Sequence, residues 1–330
     1  MASIRDVAQR ARVGVSTVSK VLNGYSDIGK ETRQKVLAAA KALDYRPNRA
    51  ARSFRTGKTQ TVSVFLPMVG TEFYERLITA IDHELAAHDY DAALFPLLSE
   101  QRLRRYRESD ALPYHADGVI FASLNPDWLF PDARLPAPLP GVLVDAYHAD
   151  YDTITVDNAR GAFDATQHLL ERPAPTYSIM IEHFADTPFA SGVFIERAKG
   201  FERALETSGV GFANEQMVHA EFSRGGGRDA FREILKRTAP PINVFASCDE
   251  VARGVLDEVV DRGLRLGSDV RVVGFDDQPW AAEVGLSSVH QPVERLGARA
   301  AALLLARFGD PDAPVRHEEV IPTLVRRTSS

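Results

Sequence analysis

The sequence predicts a small all-helical N-terminal headpiece followed by an α/β body of two doubly wound lobes. Three observations point to this. Residues 1–58 carry 13 Lys/Arg and 4 Asp/Glu, a net +9, whereas residues 59–330 carry 26 and 41, a net −15. The hydrophobic period changes near residue 60, from helical spacings of three and four to short continuous apolar runs. Those runs then alternate, twice over, with amphipathic helical segments, the pattern of parallel sheets covered on both faces. With 330 residues, 45% of them hydrophobic and 25% charged, the chain is long enough for two or three domains with a substantial core. A single cysteine, Cys248, excludes an internal disulfide. No segment has the roughly 18 consecutive apolar residues that span a bilayer, and the start lacks the apolar run of a secretory signal, so the cytoplasm is the expected compartment. A basic end on an acidic body suits a headpiece that binds a polyanion.

In the headpiece, Ser3-Ile4-Arg5-Asp6 forms a capping box that opens a helix over 4–11, with Ile4, Val7, Ala8 and Ala11 facing inward. A second helix over 15–22 gathers Val18, Val21 and Leu22 on one face and leaves Val15, Ser16, Ser19 and Lys20 on the other. A third, roughly 30–43, offers Val36, Leu37, Ala40 and Leu43 to close a three-helix core. The polar face of the second helix then has no internal partner. Two short helices joined by a tight turn make a helix-turn-helix, whose second helix fits a DNA major groove.

In the body, TVSVFLP, YDAALFPL, DGVIFAS and PGVLVDA read as buried parallel strands, with helices near 72–87, 100–111 and 158–171. YSIMIEH, MVHAEF, INVFASC and VRVVGFD repeat the pattern, with helices near 191–208, 226–237 and 249–263. SSVHQP, a helix over 292–308 and EEVIPTLVRR are expected to cross back between the lobes, giving a link of several strands that can hinge. The expected boundaries are 1–46 for the headpiece, 47–58 for a hinge linker and 59–330 for the body. One lobe spans about 59–158 plus 290–318, the other about 159–289 plus 319–330. A cleft between two such lobes collects side chains at the carboxyl ends of strands, where α/β sheets bind ligands. Catalysis is not expected. The nine histidines lack metal-ligand spacing, Cys248 has no evident base, and Gly225-Gly226-Gly227-Arg228 lacks the Gly-Lys-Ser/Thr ending of a phosphate loop. No metal or cofactor is expected either.

IRDVAQRARVGVSTVSKVLNG and ETRQKVLAAAKALDYRPNRAARSF, followed by the hinge and the two-lobed body, resemble the LacI/GalR (lactose repressor) family of bacterial transcription regulators over the whole chain. The family's body resembles type I periplasmic-binding-protein-like sugar receptors. By this resemblance Val15, Ser16 and Lys20 match positions that face base edges: a valine meets a thymine methyl, a serine bonds donor or acceptor, and a lysine reaches guanine N7/O6. Ser3, Thr17, Ser19, Asn23, Tyr25, Thr32 and Arg33 are read as phosphate contacts or caps. The resemblance also implies that the hinge, with Asn48, Arg49 and Ala51, orders only when two subunits pair over the operator. Phe54 stands where the family places a minor-groove wedge, packing of that ring on the body being the alternative.

For the effector, Asp145, Arg197 and Asp276 match positions that bond ligand in the family, and Phe73 and Tyr74 match an aromatic pair beside it. Carboxylates with an arginine suit vicinal hydroxyls, and Phe222 can add a second ring. An ion pair bracing the hinge is the alternative role for Arg197 and Asp276. Three departures stand out. Arg12 replaces the usual turn glycine and must take a left-handed backbone at about 1–2 kcal/mol. Gly14 replaces the serine that opens the second helix. Cys248 replaces a common asparagine, which implies either an effector that differs from the usual hexoses or a contact carried by Ser247 or Asp249, with Ser123, Asn125 and Gln291 as further candidates.

The expected molecule is a homodimeric regulator, a repressor, that binds a pseudo-palindromic double-stranded operator and answers to a small hydroxylated effector, a sugar first. A nucleoside, purine or sugar phosphate acting as corepressor is the alternative, and a plain sugar-binding protein is disfavoured by the headpiece. The family's tetramers use C-terminal heptads, whereas RRTSS follows the last strand directly here, so a dimer is expected.

Overall fold

The computed structural model describes residues 2–22, 25, 27–45, 57–97, 101, 104, 115–129, 139–181 and 192–330. They divide into two compact units, residues 1–60 and 61–330.

The first unit is built from α1 (Ile4–Ala11), α2 (Val15–Leu22) and α3 (Lys30–Ala42). The capping box forms as expected: the Asp6 N–H donates to Ser3 Oγ at 3.3 Å, and the Ser3 N–H donates to Asp6 Oδ2 at 2.7 Å. Val7, Ala8, Ala11, Val18, Val21, Val36, Ala39 and Ala40 make the core. Two inward–outward assignments change. Ser19, expected on the outward face, is buried, because it lies one helical step from Val18 and three from Leu22, at the edge of the apolar stripe. Leu37, expected inward, is 49% exposed. The inward row of α3 is Val36, Ala39, Ala40 and Leu43, and Leu37 falls some 100° off it.

Arg12 ends α1 with φ 54° and ψ 45°, the left-handed conformation required of it. Arg12→Gly is expected to raise headpiece stability by about 0.5–1 kcal/mol, the relieved strain being partly offset by glycine's larger unfolded-state entropy. Slower amide exchange in α1 and α2 of the full chain measures the gain, and unchanged or faster exchange contradicts it.

The second unit runs β1 (Thr61–Leu66), α4 (Glu72–Ala86), β2 (Asp91–Pro96), β3 (Gly118–Ala122), α5 (Pro126–Leu129), β4 (Gly141–Val144) and β5 (Asp152–Val156). It continues with α6 (Asn158–Leu170), β6 (Thr176–Ile181), α7 (Val193–Thr207), β7 (Met217–Ala220), α8 (Arg224–Arg237), β8 (Ile242–Ala246) and α9 (Asp249–Asp261). Next come β9 (Val270–Asp276), α10 (Pro279–Glu283), β10 (Ser287–His290), α11 (Val293–Gly309), β11 (His317–Val320) and β12 (Thr323–Val325).

The strands form two six-stranded sheets, β2-β1-β3-β4-β5-β11 and β7-β6-β8-β9-β10-β12. Both wind in the same order, and every pairing is parallel except that of β12 with β10. The chain passes between the sheets three times, at Asp157, at Gln291–Pro292 and at Ile321–Pro322. α11 follows a strand of the second sheet but packs on α4 and on strands of the first.

EEVIPTLVRR crosses between the lobes as expected, as two short strands, β11 in one sheet and β12 in the other. β5 was not anticipated, because DTITV is too polar to read as a buried run. It is buried nonetheless because its polar groups have partners: Asp152 meets Arg307 and Arg316, and Thr153 Oγ1 lies 3.0 Å from His317 Nδ1. The helix expected near 100–111 lies almost wholly outside the described residues. Among those residues no helix is long and apolar enough to cross a membrane.

Candidate functional site

On the headpiece, α2 presents Val15 at 43% exposure together with exposed Ser16 and Lys20, while Thr17 is half-buried. An apolar side chain left open beside a hydroxyl and an ammonium, on the second helix of a helix-turn-helix, suits base edges in a major groove. Exposed Ser3 caps α1, and Thr32 and Arg33 are half-buried in the first turn of α3. The Arg33 guanidinium donates to the Tyr25 carbonyl, and the Tyr25 N–H donates to the Lys20 carbonyl at 3.1 Å, which fastens the loop after α2. Tyr25 itself is exposed. Asn23, Asn48, Arg49, Ala51 and Phe54 lie outside the described residues.

In the body, the strand ends bring together most of the residues singled out for effector. Ser123 follows β3, Asp145 follows β4, Asp276 ends β9 and Gln291 follows β10. Ser123, Asp145 and Asp276 hold positive φ of 50°, 57° and 119°, strain of about 1–3 kcal/mol each that concentrates at functional sites. Ser123 Oγ donates to Asp145 Oδ2 at 2.6 Å. The buried Tyr74 hydroxyl bonds Ser123 in turn, with the Phe73 ring edge-on to it at 5.1 Å. Gln291 Nε2 donates to Asp276 Oδ1 at 2.6 Å.

Arg197, 4% exposed, projects from α7, donates from Nε to Asn158 Oδ1 at 2.8 Å and from Nη1 to the Ser247 carbonyl at 2.6 Å, and stacks 3.7 Å from the centre of the Phe275 ring. Its Nη1 is 3.7 Å from Asp276 Oδ1, a charge contact longer than a hydrogen bond. The guanidinium is therefore braced chiefly by Asn158 and Ser247 rather than by Asp276. Asp145 Oδ1 and Gln291 Oε1 are buried with no hydrogen bond from the described residues.

The electrostatics follow from that enclosure. Burial raises the Asp145 carboxyl above its ordinary value, against the Ser123 hydrogen bond and the Arg197 charge. Burial likewise pushes Asp276 up to about 6, with Arg197 and Gln291 pulling down and the Asp145 charge pushing up. Each carboxylate feels the other's lobe.

Other candidates take different places. Asp249 is fully buried and spends both oxygens internally, accepting from Ser288 Oγ at 2.6 Å and from the Gln278 N–H at 2.8 Å. It braces the turn after β9, and a Cβ at Gly274 would lie 2.2 Å from its Oδ1. Ser247 is also internal, its Oγ accepting from the Ile181 N–H at 3.2 Å. Buried Cys248 caps α9, its thiol pushed far up by burial and then by the Asp276 charge. Asp249 and Ser247 are thus engaged inside the protein, through Ser288, Gln278, Ile181 and Arg197. Asn125 caps α5 by accepting from the Asp127 N–H at 3.0 Å. Phe222 is 40% exposed, beyond the end of β7 and 6.5 Å from the Phe194 ring. Asn158 was missed, since at the start of a helix beside Asp157 it looks like an ordinary cap. Its link to Arg197 spans 39 residues and leaves no local signal.

Residues 3–48 match the family described as bacterial regulatory proteins, lacI family, and residues 167–330 match the periplasmic binding protein-like domain. The chain is 31% identical to catabolite control protein A of Priestia megaterium over 312 residues, covering 92% of this chain and 91% of that protein. It is 30% identical to the HTH-type transcriptional repressor PurR of Pectobacterium carotovorum, covering 100% and 97%. Among solved structures it resembles the complex of the transcriptional regulator CelR with cellobiose, with a TM-score of 0.73, 27% identity and full coverage of both chains.

Proposed function

The chain belongs to the LacI family of bacterial regulatory proteins, and from that premise we propose a cytoplasmic homodimeric repressor whose headpieces bind a pseudo-palindromic operator and whose body holds a small hydroxylated effector. It regulates transcription rather than catalysing a reaction. The observation that carries the effector class is the pair of buried open acceptors, Asp145 Oδ1 and Gln291 Oε1. The neighbouring donors are engaged elsewhere: the Tyr74 hydroxyl bonds Ser123, Ser123 donates to the other oxygen of Asp145, and the Gln291 amide donates to Asp276. A ligand rich in hydroxyl donors supplies what is missing. A phosphorylated ligand would bring negative charge to two carboxylates faced by Arg197, which favours a neutral sugar over a sugar phosphate. A nucleoside or purine remains the second choice, since its ring stacks on Phe73 or Phe222 and its N–H groups donate. The relative's cellobiose complex supports the sugar.

Retardation of operator DNA by the full chain, with and without sugars that raise its melting temperature, tests this assignment. A protein that binds sugar but no DNA sequence is a plain receptor. Within the headpiece, Lys20→Ala is expected to relax base preference at one position per half-site. Arg33→Ala is expected to weaken all sequences alike and to flatten the salt dependence by about one phosphate contact. Binding titrations on operator variants at several salt concentrations separate the two, and a uniform loss from Lys20→Ala removes it from base readout.

A further inference from the structure

Lys20 does not stand alone on α2. Its Nζ donates to Asp27 Oδ2 at 2.5 Å, with the two side chains 47% and 53% exposed. Asp27 lies on the loop between α2 and α3, the loop that Arg33 and Tyr25 fasten to α2. So exposed an ion pair adds little to stability. It also places a carboxylate on a surface otherwise rich in cations, where it opposes phosphate binding. Such a residue weakens sequence-independent affinity and needs another reason to be there.

We propose that Asp27 is a specificity-positioning residue that acts through Lys20. An ammonium has three donors and a freely rotating stem, so an unpaired lysine meets any nearby phosphate as readily as a base edge. Held by Asp27, Lys20 has one donor committed and two left, the number that guanine N7 and O6 accept in the major groove. The pair's net charge is near zero, so moving it from water to a phosphate yields little, whereas guanine completes the ammonium without breaking its bond to Asp27. The other carboxylate oxygen of Asp27 accepts from a cytosine N4 amino group, which extends readout to a neighbouring base pair. The pair thereby exchanges general affinity for choice. This inference rests on the assignment of the headpiece to operator binding and of Lys20 to base readout.

The test is selection of binding sites from a randomised palindromic duplex library with full-length wild type, Lys20→Ala, Asp27→Asn, Asp27→Glu and the Lys20→Ala/Asp27→Asn double variant, followed by titration of the recovered site at several salt concentrations. Asp27→Asn is expected to lose about tenfold in discrimination at the same base pair that Lys20→Ala relaxes. It should also bind unrelated DNA more tightly, with a salt slope steeper by about 0.9. Asp27→Glu should restore the preference, and the double variant should match Lys20→Ala at that position. Unchanged preference in Asp27→Asn, or an equal change for every sequence, overturns the role of Asp27 and leaves the regulator assignment intact. Failure of the wild type to enrich any sequence overturns both.

Discussion

Asp152→Ala is expected to destabilise the body by about 3–5 kcal/mol, the usual cost of removing one partner from a buried charge pair. The Asp152 side chain has no exposure, and the Arg307 side chain facing it has 10%. Arg307 donates from Nη2 to Oδ1 at 2.7 Å and from Nε to Oδ2 at 3.1 Å, while Arg316 donates from its backbone N–H to Oδ1 at 2.7 Å and from Nη2 to Oδ2 at 3.1 Å. Arg307 also bonds the carbonyls of Pro311, Ala313 and Pro314, so one carboxylate ties β5 to the end of α11 and to the loop that leads into β11. Without it a guanidinium stays buried and unbalanced, which costs far more than an exposed pair would. Burial raises the Asp152 carboxyl, but the hydrogen bonds from Arg307 and Arg316 outweigh it and leave the group below its ordinary value. A depressed carboxyl stabilises the fold above its unfolded value and loses that contribution as pH falls through the folded one, so the effect of the substitution should fade below about pH 4. Urea unfolding of wild type and variant at pH 7 and pH 3.5 measures both statements. A loss below about 1 kcal/mol at pH 7 would show that the loop is held by other contacts.

Local signals carried the headpiece: the Ser3/Asp6 box and the three-and-four spacing of valines and alanines set α1 and α2 to the residue, and the missing turn glycine correctly implied a left-handed Arg12. Ser19 and Leu37 were misassigned because periodicity fixes the width of an apolar stripe but not which edge residue the neighbouring helix covers. In the body, apolar runs announced eight of the strands, whereas β5 hides behind Asp152 and two threonines whose partners lie more than 150 residues away. The site divides in the same way. Family resemblance together with strand-end position pointed to Asp145 and Asp276, and Gln291 was among the further candidates; the structure places them after β4, at the end of β9 and after β10. Whether an oxygen is spent or open depends on donors brought by other elements, so the internal role of Asp249 and the bracing of Arg197 by Asn158 emerge only in three dimensions.

The switch itself should fail in Asp276→Asn. Asn keeps the volume and an acceptor for the Gln291 amide but removes the charge that strengthens a ligand hydroxyl bond, worth about 1.5–3 kcal/mol, or roughly 10- to 150-fold in effector affinity. It is a cleaner probe than Arg197→Ala, which would strand Asn158 and the Ser247 carbonyl as buried unpaired groups. Asp145 belongs to the lobe of the first sheet and Asp276 to that of the second, so a ligand bonded to both favours one closure angle, and only this difference in affinity can move the equilibrium. Release of operator is the expected response to effector.

Protonation gives an independent check on the same residue. Asp276, raised to about 6, carries a proton more readily in the folded protein than in the unfolded chain, so its favourable contribution is complete only below about pH 4 and is lost as pH rises through 6. A donor-rich effector favours the ionised form. Its binding should therefore tighten between pH 5 and pH 7 with release of protons, and Asp276→Asn should flatten that profile. Operator affinity measured by fluorescence anisotropy, with and without the sugar found by thermal shift, should show wild-type affinity for ligand-free Asp276→Asn and an effector requirement raised at least tenfold. Release of DNA by the variant at the wild-type effector concentration, with an unchanged pH profile, would place the effector away from β9 and the two open acceptors.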